Sequence, residues 1–328
     1  MRKSYLIIIM LVLVSITACV GPQARLFREA PEPLREFTLE GVGKDKILLI
    51  PVNGLISDMP KKGVLRTSPS LVEQVVLQLN KAEKDKQIKA VLLKINSPGG
   101  TITASDLLYH EIVSFKEKTG AKIIVSIMDI AASGAYYMSL PADTIIAHPT
   151  SVTGSVGVLF LQPKVTGLMD KIGLRMDVKK FGQNKDMGSP FRESSEEEHK
   201  FLQKAVNDFG ERFIRLVQKH RKPDQRALTE IATARIFLAD DALKLKLVDN
   251  IGYLRDAVKA SKKLANVPDD ARVVVYRRAE FPEDNYYNVA GVASEDVTLS
   301  AINIDLLEPF SLKTGFYYLW PGFIANEK

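Results

Sequence analysis

The sequence predicts an α/β fold with a mainly parallel sheet covered by helices, and three observations predict it. Residues 47–50 (Ile-Leu-Leu-Ile), 88–95 (Ile-Lys-Ala-Val-Leu-Leu-Lys-Ile) and 122–128 (Lys-Ile-Ile-Val-Ser-Ile-Met) are nearly continuous apolar runs. That is the pattern of strands buried on both faces. Segments with helical apolar spacing separate them: Val72, Val75, Val76 and Leu79, then Leu108, Ile112 and Phe115. Strand and helix therefore alternate along the chain, which is the order of a parallel sheet covered on both faces.

The chain opens on Arg2 and Lys3, then an almost unbroken apolar run from Tyr5 to Val14. This run falls short of the ~20 apolar residues a membrane span needs, and has the build of a secretion signal. It ends in Ile16-Thr17-Ala18-Cys19, which resembles the bacterial lipobox: an aliphatic residue, two small ones, then cysteine. The expectation is a lipoprotein signal over residues 1–18 and a palmitate-type acylated Cys19, since two acyl chains hold a protein on a membrane where one is marginal. Cys19 is the only cysteine, so no intramolecular disulfide can form. Residues 19–45, punctuated by Pro22, Pro31 and Pro33, read as a tether.

Loss of Arg2 and Lys3 with the leader lowers the formal charge from +6 to +4. No block of like charge remains, and no nucleic-acid partner is expected. The main folded domain is expected over 46–265 and a C-terminal extension over 266–328. The strand at 47–50 ends at Gly54, and a loop with Pro60, Gly63 and Pro69 leads to the first helix. After the strand at 88–95, Asn96-Ser-Pro-Gly-Gly100 opens a helix. The strand at 122–128 runs into Asp129-Ile-Ala-Ala-Ser133-Gly-Ala-Tyr-Tyr137.

Further strands are expected at 144–147 and 174–181, with a glycine-interrupted segment between them at 150–158. The second strand leads into Gly182-Gln-Asn-Lys185-Asp-Met-Gly-Ser-Pro-Phe191. A long helix from Ser195 to Lys219 follows, carrying Leu202, Ala205, Phe209, Phe213 and Leu216. Residues 224–262 read as two helices around 247–252, and 273–276 as a strand. The aromatic stretch Phe316-Tyr-Tyr-Leu-Trp320 is expected to pack on the domain or on a neighbouring subunit.

Two strand-to-helix turns thus lie at the carboxyl ends of neighbouring parallel strands, where such sheets bind ligands. One carries Ser133, flanked by Ala131, Ala132, Gly134 and Ala135, which leave room for a substrate. A hydroxyl on the positive end of a helix can act as a nucleophile; the ordinary alternative is a serine N-cap. The other turn carries Gly99 and Gly100, whose bare N–H groups can hold an oxyanion, worth ~3 kcal/mol per donor. A serine nucleophile needs a base. Of His110, His148, His199 and His220 only His148 lies near a strand end, none has a carboxylate partner in the pattern, and no metal-binding spacing occurs. A lysine made neutral by burial or by a neighbouring cation is the alternative. Lys185 stands out in its Gly, Asn and Ser-rich segment, but spacing alone leaves the base open.

The motifs Asn-Ser-Pro-Gly-Gly, Ala-Ala-Ser-Gly-x-Tyr-Tyr, Thr-Gly-Ser-Val-Gly-Val and Gly-x-x-Lys-Asp-Met-Gly-Ser-Pro follow one another between Ile47 and Gly252. In that order they resemble the signal peptide peptidase A family, membrane-associated bacterial serine peptidases with a Ser-Lys dyad on a crotonase-like (ClpP-like) fold. The resemblance implies Ser133 as nucleophile and Lys185 as general base. Gly100 and Gly134 would be oxyanion donors, with Gly99 shaping the turn, and Ser155 would orient the lysine. It implies remnant signal peptides and other apolar peptides as substrates, and no cofactor. It also implies a homo-oligomer in which the dyad is completed between neighbouring protomers.

The chain departs from the family in having Gly134-Ala135 where Gly-Gly is usual, and a lipid-type anchor where many members have a transmembrane one. The place implied is the bacterial cell envelope, with the catalytic domain outside the cytoplasm. Two other functions compete. An acyl-CoA hydratase or isomerase shares the fold but needs paired acids, and these loops offer only Asp129. A non-catalytic lipoprotein scaffold would use Ser133 merely as a cap.

Overall fold

The computed structural model describes residues 32–62, 67–281, 284–288 and 314–322. The expected leader and Cys19 lie outside the described residues. Among those described, no helix is long and apolar enough to cross a membrane.

The main sheet grows from the apolar runs. Its strands are β1 (Arg35–Glu40), β2 (Lys46–Asn53), β5 (Ile88–Ser97), β7 (Lys122–Ala132), β8 (Thr144–Ala147), β9 (Val152–Gly154), β11 (Ile236–Leu238), β12 (Asn250–Ile251) and β13 (Arg272–Arg277). The order across it is β1-β13-β2-β5-β7-β8-β12, with β9 branching from β7 and β11 pairing β9. Every pair from β13 to β12 is parallel; only β1 with β13 and β11 with β9 run antiparallel. Ile47 to Ile50 on β2 and Val91 to Leu93 on β5 are fully buried, so the central strands are covered on both faces.

Two short strands, β3 (Lys61–Lys62) and β4 (Thr67–Ser68), form a separate hairpin. A third sheet consists of β6 (Gly99–Thr101), β10 (Leu159–Leu161) and β14 (Gly315–Leu319), with β14 in the middle.

The helices are α1 (Leu71–Glu83), α2 (Ile102–Thr119), α3 (Gly134–Ser139), α4 (Thr166–Ile172), α5 (Glu196–Arg221), α6 (Gln225–Ile231), α7 (Ala239–Lys244) and α8 (Leu254–Leu264). Their starts are set by side chains that satisfy otherwise orphaned amides. Ser70 caps α1, Thr101 caps α2, and Ser195 with Glu198 forms a reciprocal capping box on α5. α8 buries Leu254, Ala257 and Val258 against Ile47, Leu92, Ile124 and Val273 of the sheet.

Four expectations are corrected. Residues 174–181 form no strand: their alternation of apolar and charged side chains suits one, yet no other described strand pairs with them, and Leu174, Met176 and Val178 stay half exposed. Residues 224–262 hold three helices and two short strands where two helices were expected. β1 falls inside the stretch read as a tether, because its charged edge-strand sequence has too little apolar content to announce a strand. β13, in the stretch read as an extension, is built into the main sheet between β1 and β2.

Candidate active site

β5 and β7 are parallel neighbours, and both expected turns lie at their carboxyl ends. Ser133 sits between β7 and α3 with φ 52 and ψ −115, and its side chain makes no capping hydrogen bond. This excludes the ordinary N-cap reading. A positive φ at a non-glycine residue costs on the order of 1–3 kcal/mol and persists only where the surroundings impose it. Here they do: the Ser133 N–H donates to the Gly154 carbonyl at 2.8 Å, and Ala132 pairs with Gly154 in register. The side chain is 1% exposed and its Oγ has no hydrogen-bond partner. A buried hydroxyl left unpaired ordinarily costs ~1–3 kcal/mol. The chain holds this one poised and unbonded.

The glycines converge around it. Gly99 has φ 101, and a methyl carbon built on it would lie 2.7 Å from the Gly134 nitrogen and 2.2 Å from the Tyr318 carbonyl oxygen. One built on Gly134 would lie 2.2 Å from Ser105 Oγ and 3.2 Å from the Gly100 nitrogen. On Gly100 it would meet the Ile56 carbonyl oxygen at 1.8 Å. Backbone packed this closely admits no side chain, so the glycine requirement is steric. The nitrogens of Gly100 and Gly134 therefore lie close together beside Ser133, with the Tyr318 carbonyl packed against them. Gly99 is anchored in turn: its N–H donates to Ser97 Oγ at 3.2 Å and its carbonyl accepts from Ile56 N at 2.8 Å.

Ser155 follows Gly154 directly and is brought to the site by the same Gly154–Ser133 bond. It too has a positive φ, 52, is 8% exposed, and its N–H donates to the Arg235 carbonyl at 2.9 Å. Lys185 is placed differently. It lies in an exposed turn, and because Ser133 Oγ has no partner, neither Lys185 nor any of the four histidines reaches it within one chain. The histidines are engaged elsewhere where contacts exist: His148 Nδ1 with Thr150, and His220 Nε2 with Tyr109.

Sequence reasoning missed the residues of β14 that pack beside this turn. β14 runs antiparallel to β6 on one side and to β10 on the other, with Tyr318 opposite Gly100 and Phe316 opposite Phe160. The Tyr318 ring is fully buried; it stacks on Tyr137 with centroids 5.0 Å apart and meets Phe213 at 5.0 Å, and its hydroxyl donates to the Phe209 carbonyl at 2.9 Å. Burial raises the phenol pKa of both Tyr318 and Tyr137 above the usual range, the latter further raised by its bond to Asp106. Arg212 of α5 ties this corner together, bonding Tyr137 Oη at 3.1 Å and Asp106 at 2.7 Å. The strand-like run Phe316-Tyr-Tyr-Leu-Trp320 was the available signal, but nothing in it named a partner more than two hundred positions earlier.

A buried hydroxyl with no hydrogen-bond partner, beside closely packed glycine amides, is the kind of arrangement that acyl transfer uses. A model of peptidase family S49 matches residues 116–268, and a model of the Clp protease family matches residues 66–153. A putative signal peptide peptidase SppA of Enterococcus faecium is 36% identical over 253 residues, spanning 77% of this chain and 73% of that protein. The chloroplastic serine protease SPPA of Arabidopsis thaliana is 29% identical over 289 residues, spanning 87% of this chain but 42% of the plant protein. Among solved structures, a ClpP1 mutant from Listeria monocytogenes aligns with TM-score 0.42 and 18% identity, covering 64% of this chain and 94% of its own.

Proposed function

The chain belongs to peptidase family S49, a family of serine endopeptidases, and on that premise we propose that Ser133 is its nucleophile and Lys185 its general base. The observation that carries the reading is Ser133 itself: strained at φ 52, buried, and with an unbonded Oγ beside the converging amides of Gly100 and Gly134. In the reaction Ser133 Oγ attacks the scissile carbonyl and gives its proton to a neutral Lys185. The N–H groups of Gly100 and Gly134 take the developing oxyanion. The amine product leaves with a proton returned by the lysine, and water then hydrolyses the acyl-enzyme. Ser155, fixed next to Gly154, would orient the lysine amine.

Two features support an apolar peptide as substrate. β14 pairs by its backbone between β6 and β10 next to Ser133, the way an extended peptide could. The side chains around it include Tyr137, Phe160 and Phe213, which suits remnant signal peptides and similar apolar segments.

Sharing of the dyad between protomers has its own support. Lys185 is exposed and flanked by exposed Leu174, Met176, Val178 and Phe181. α5 holds the Lys185 loop near Glu198 and packs on Tyr137 through Phe213, two points ~20 Å apart along a helix rising 1.5 Å per residue. An apolar surface beside an unserved base fits a homo-oligomer in which Lys185 of one chain serves Ser133 of the next. Acylation at Cys19 would hold the assembly on the membrane, with the peptidase domain outside the cytoplasm.

The test is hydrolysis of an apolar fluorogenic peptide by Ser133→Ala and Lys185→Ala proteins that remain folded and assembled. Loss of turnover in both supports the dyad. Near-wild-type turnover by either removes that residue from the mechanism.

A further inference from the structure

The segment 182–194 carries Lys185 and contains no helix or strand, yet it is fastened at many points, and most of the fastening passes through Arg192. The Arg192 guanidinium donates from Nε to Asp186 Oδ2 at 3.0 Å and from Nη2 to Asp186 Oδ1 at 2.9 Å and to the Asp186 carbonyl at 3.0 Å. On its other edge Nη1 and Nη2 grip the two oxygens of Glu198, each at 2.7 Å, and Nη1 also reaches the Glu193 carbonyl at 2.8 Å. All three nitrogens of the fork are used. Only a planar guanidinium offers two such carboxylate-matching edges at once; a lysine cannot.

Each end of this clamp is anchored. Glu198 is 2% exposed and belongs to the capping box of α5, accepting from the Ser195 N–H at 2.6 Å. Its carboxyl pKa is lowered to about 2, chiefly by Arg192. Asp186 is the residue next to Lys185, and Lys180 Nζ bonds it as well, at 2.6 Å. From the opposite side Lys164 Nζ holds the carbonyls of Ser189 and Arg192 at 2.9 and 2.8 Å. A continuous chain of bonds thus runs from the start of a 26-residue helix to the backbone beside Lys185.

We propose that Arg192 is a positioning residue for the reaction: with Glu198 and Asp186 it fixes the backbone at Lys185, so that an exposed lysine is held at the place where it must meet a serine. The physical need is plain. A lysine side chain carries ~2 kcal/mol of rotamer entropy, and a base that must cross to a separate surface cannot also sit on a wandering loop. The proposal rests on the reading of Lys185 as base, and the experiment separates the two.

Turnover of an apolar peptide is measured for Arg192→Lys, Asp186→Asn, Lys185→Ala and the double variant Lys185→Ala/Arg192→Lys, in the full assembled protein. Asp186→Asn leaves the Arg192–Glu198 pair in place and decides the matter if Arg192→Lys fails to fold. The expected result is a loss in kcat of ~10-fold or more with KM within about twofold, and no further loss when Arg192→Lys is added to Lys185→Ala, as for residues acting as one unit. Unchanged kcat in folded Asp186→Asn overturns the proposal. So does an Arg192→Lys loss that persists undiminished without Lys185. Full activity in Lys185→Ala would instead sink the base assignment, and the positioning role with it.

Discussion

The ring of Tyr318 stacks on the ring of Tyr137 at 5.0 Å, one helical turn beyond Ser133, and the Tyr318 carbonyl lies within the glycine cluster. On the proposed mechanism, β14 lies where a substrate strand would have to pair. Truncation after Lys313 removes β14, and the tethered strand, at high effective concentration, no longer competes. KM for an apolar peptide should fall by about fivefold or more, measured by steady-state turnover. A raised KM would mean that β14 builds the slot.

The oxyanion amides make a second prediction. A methyl on Gly100 would meet the Ile56 carbonyl at 1.8 Å, so the β6 backbone must move in Gly100→Ala. Displacing one oxyanion donor costs ~100-fold in kcat. Stopped or steady-state assays on the folded variant check this, and a loss below threefold would show that the Gly100 amide is not a donor.

Acid stability follows from the Arg192 clamp. The Glu198 carboxyl, at 4.5 ordinarily, is lowered to about 2 by the Arg192 hydrogen bonds. A carboxylate with depressed folded pKa stabilises the fold fully above its ordinary pKa and loses that contribution as pH falls through the folded value. The melting-temperature gap between wild type and Glu198→Gln should therefore be full above pH 4.5 and close as pH falls toward 2. A gap that is independent of pH would show that the pair contributes nothing through ionisation.

Much of this was legible in the sequence because the cues were local. The nearly continuous apolar run 122–128, leading into small residues, announced β7 and the Ser133 turn, and Gly99-Gly100 announced a bare backbone. The apolar spacing of Leu202, Ala205, Phe209, Phe213 and Leu216 marked α5, expected from about Ser195 and found at Glu196–Arg221. What escaped depended on partners distant in the chain. β1, with its charged edge, is a strand only because β13 pairs with it, and β14 enters the site only because β6 and β10 flank it. The alternation at 174–181 misled for the opposite reason: the periodicity of a strand is there, and no described strand is beside it. Arg192 was invisible because a loop arginine carries no periodicity, and its two carboxylate partners lie six residues away on either side.

Sharing of the dyad makes a fourth prediction. Ser133→Ala and Lys185→Ala chains, each inactive alone, should regain a fraction of wild-type turnover when co-assembled, because some interfaces unite an intact serine with an intact lysine. Native mass spectrometry of chains carrying different tags confirms mixing, and verified mixed oligomers without activity would place both residues of the dyad in one chain.

The central claim is that the strained, unbonded hydroxyl of Ser133 is a nucleophile. A fluorophosphonate probe reports on it directly, since it bonds covalently to an activated serine and to no resting N-cap. Incubated with the assembled protein and analysed by intact mass and peptide mapping, it should add once per chain at Ser133, with no adduct in Ser133→Ala and a much slower one in Lys185→Ala. An adduct of equal rate in Ser133→Ala, or none in the wild-type protein across pH 6 to 10, would contradict the account.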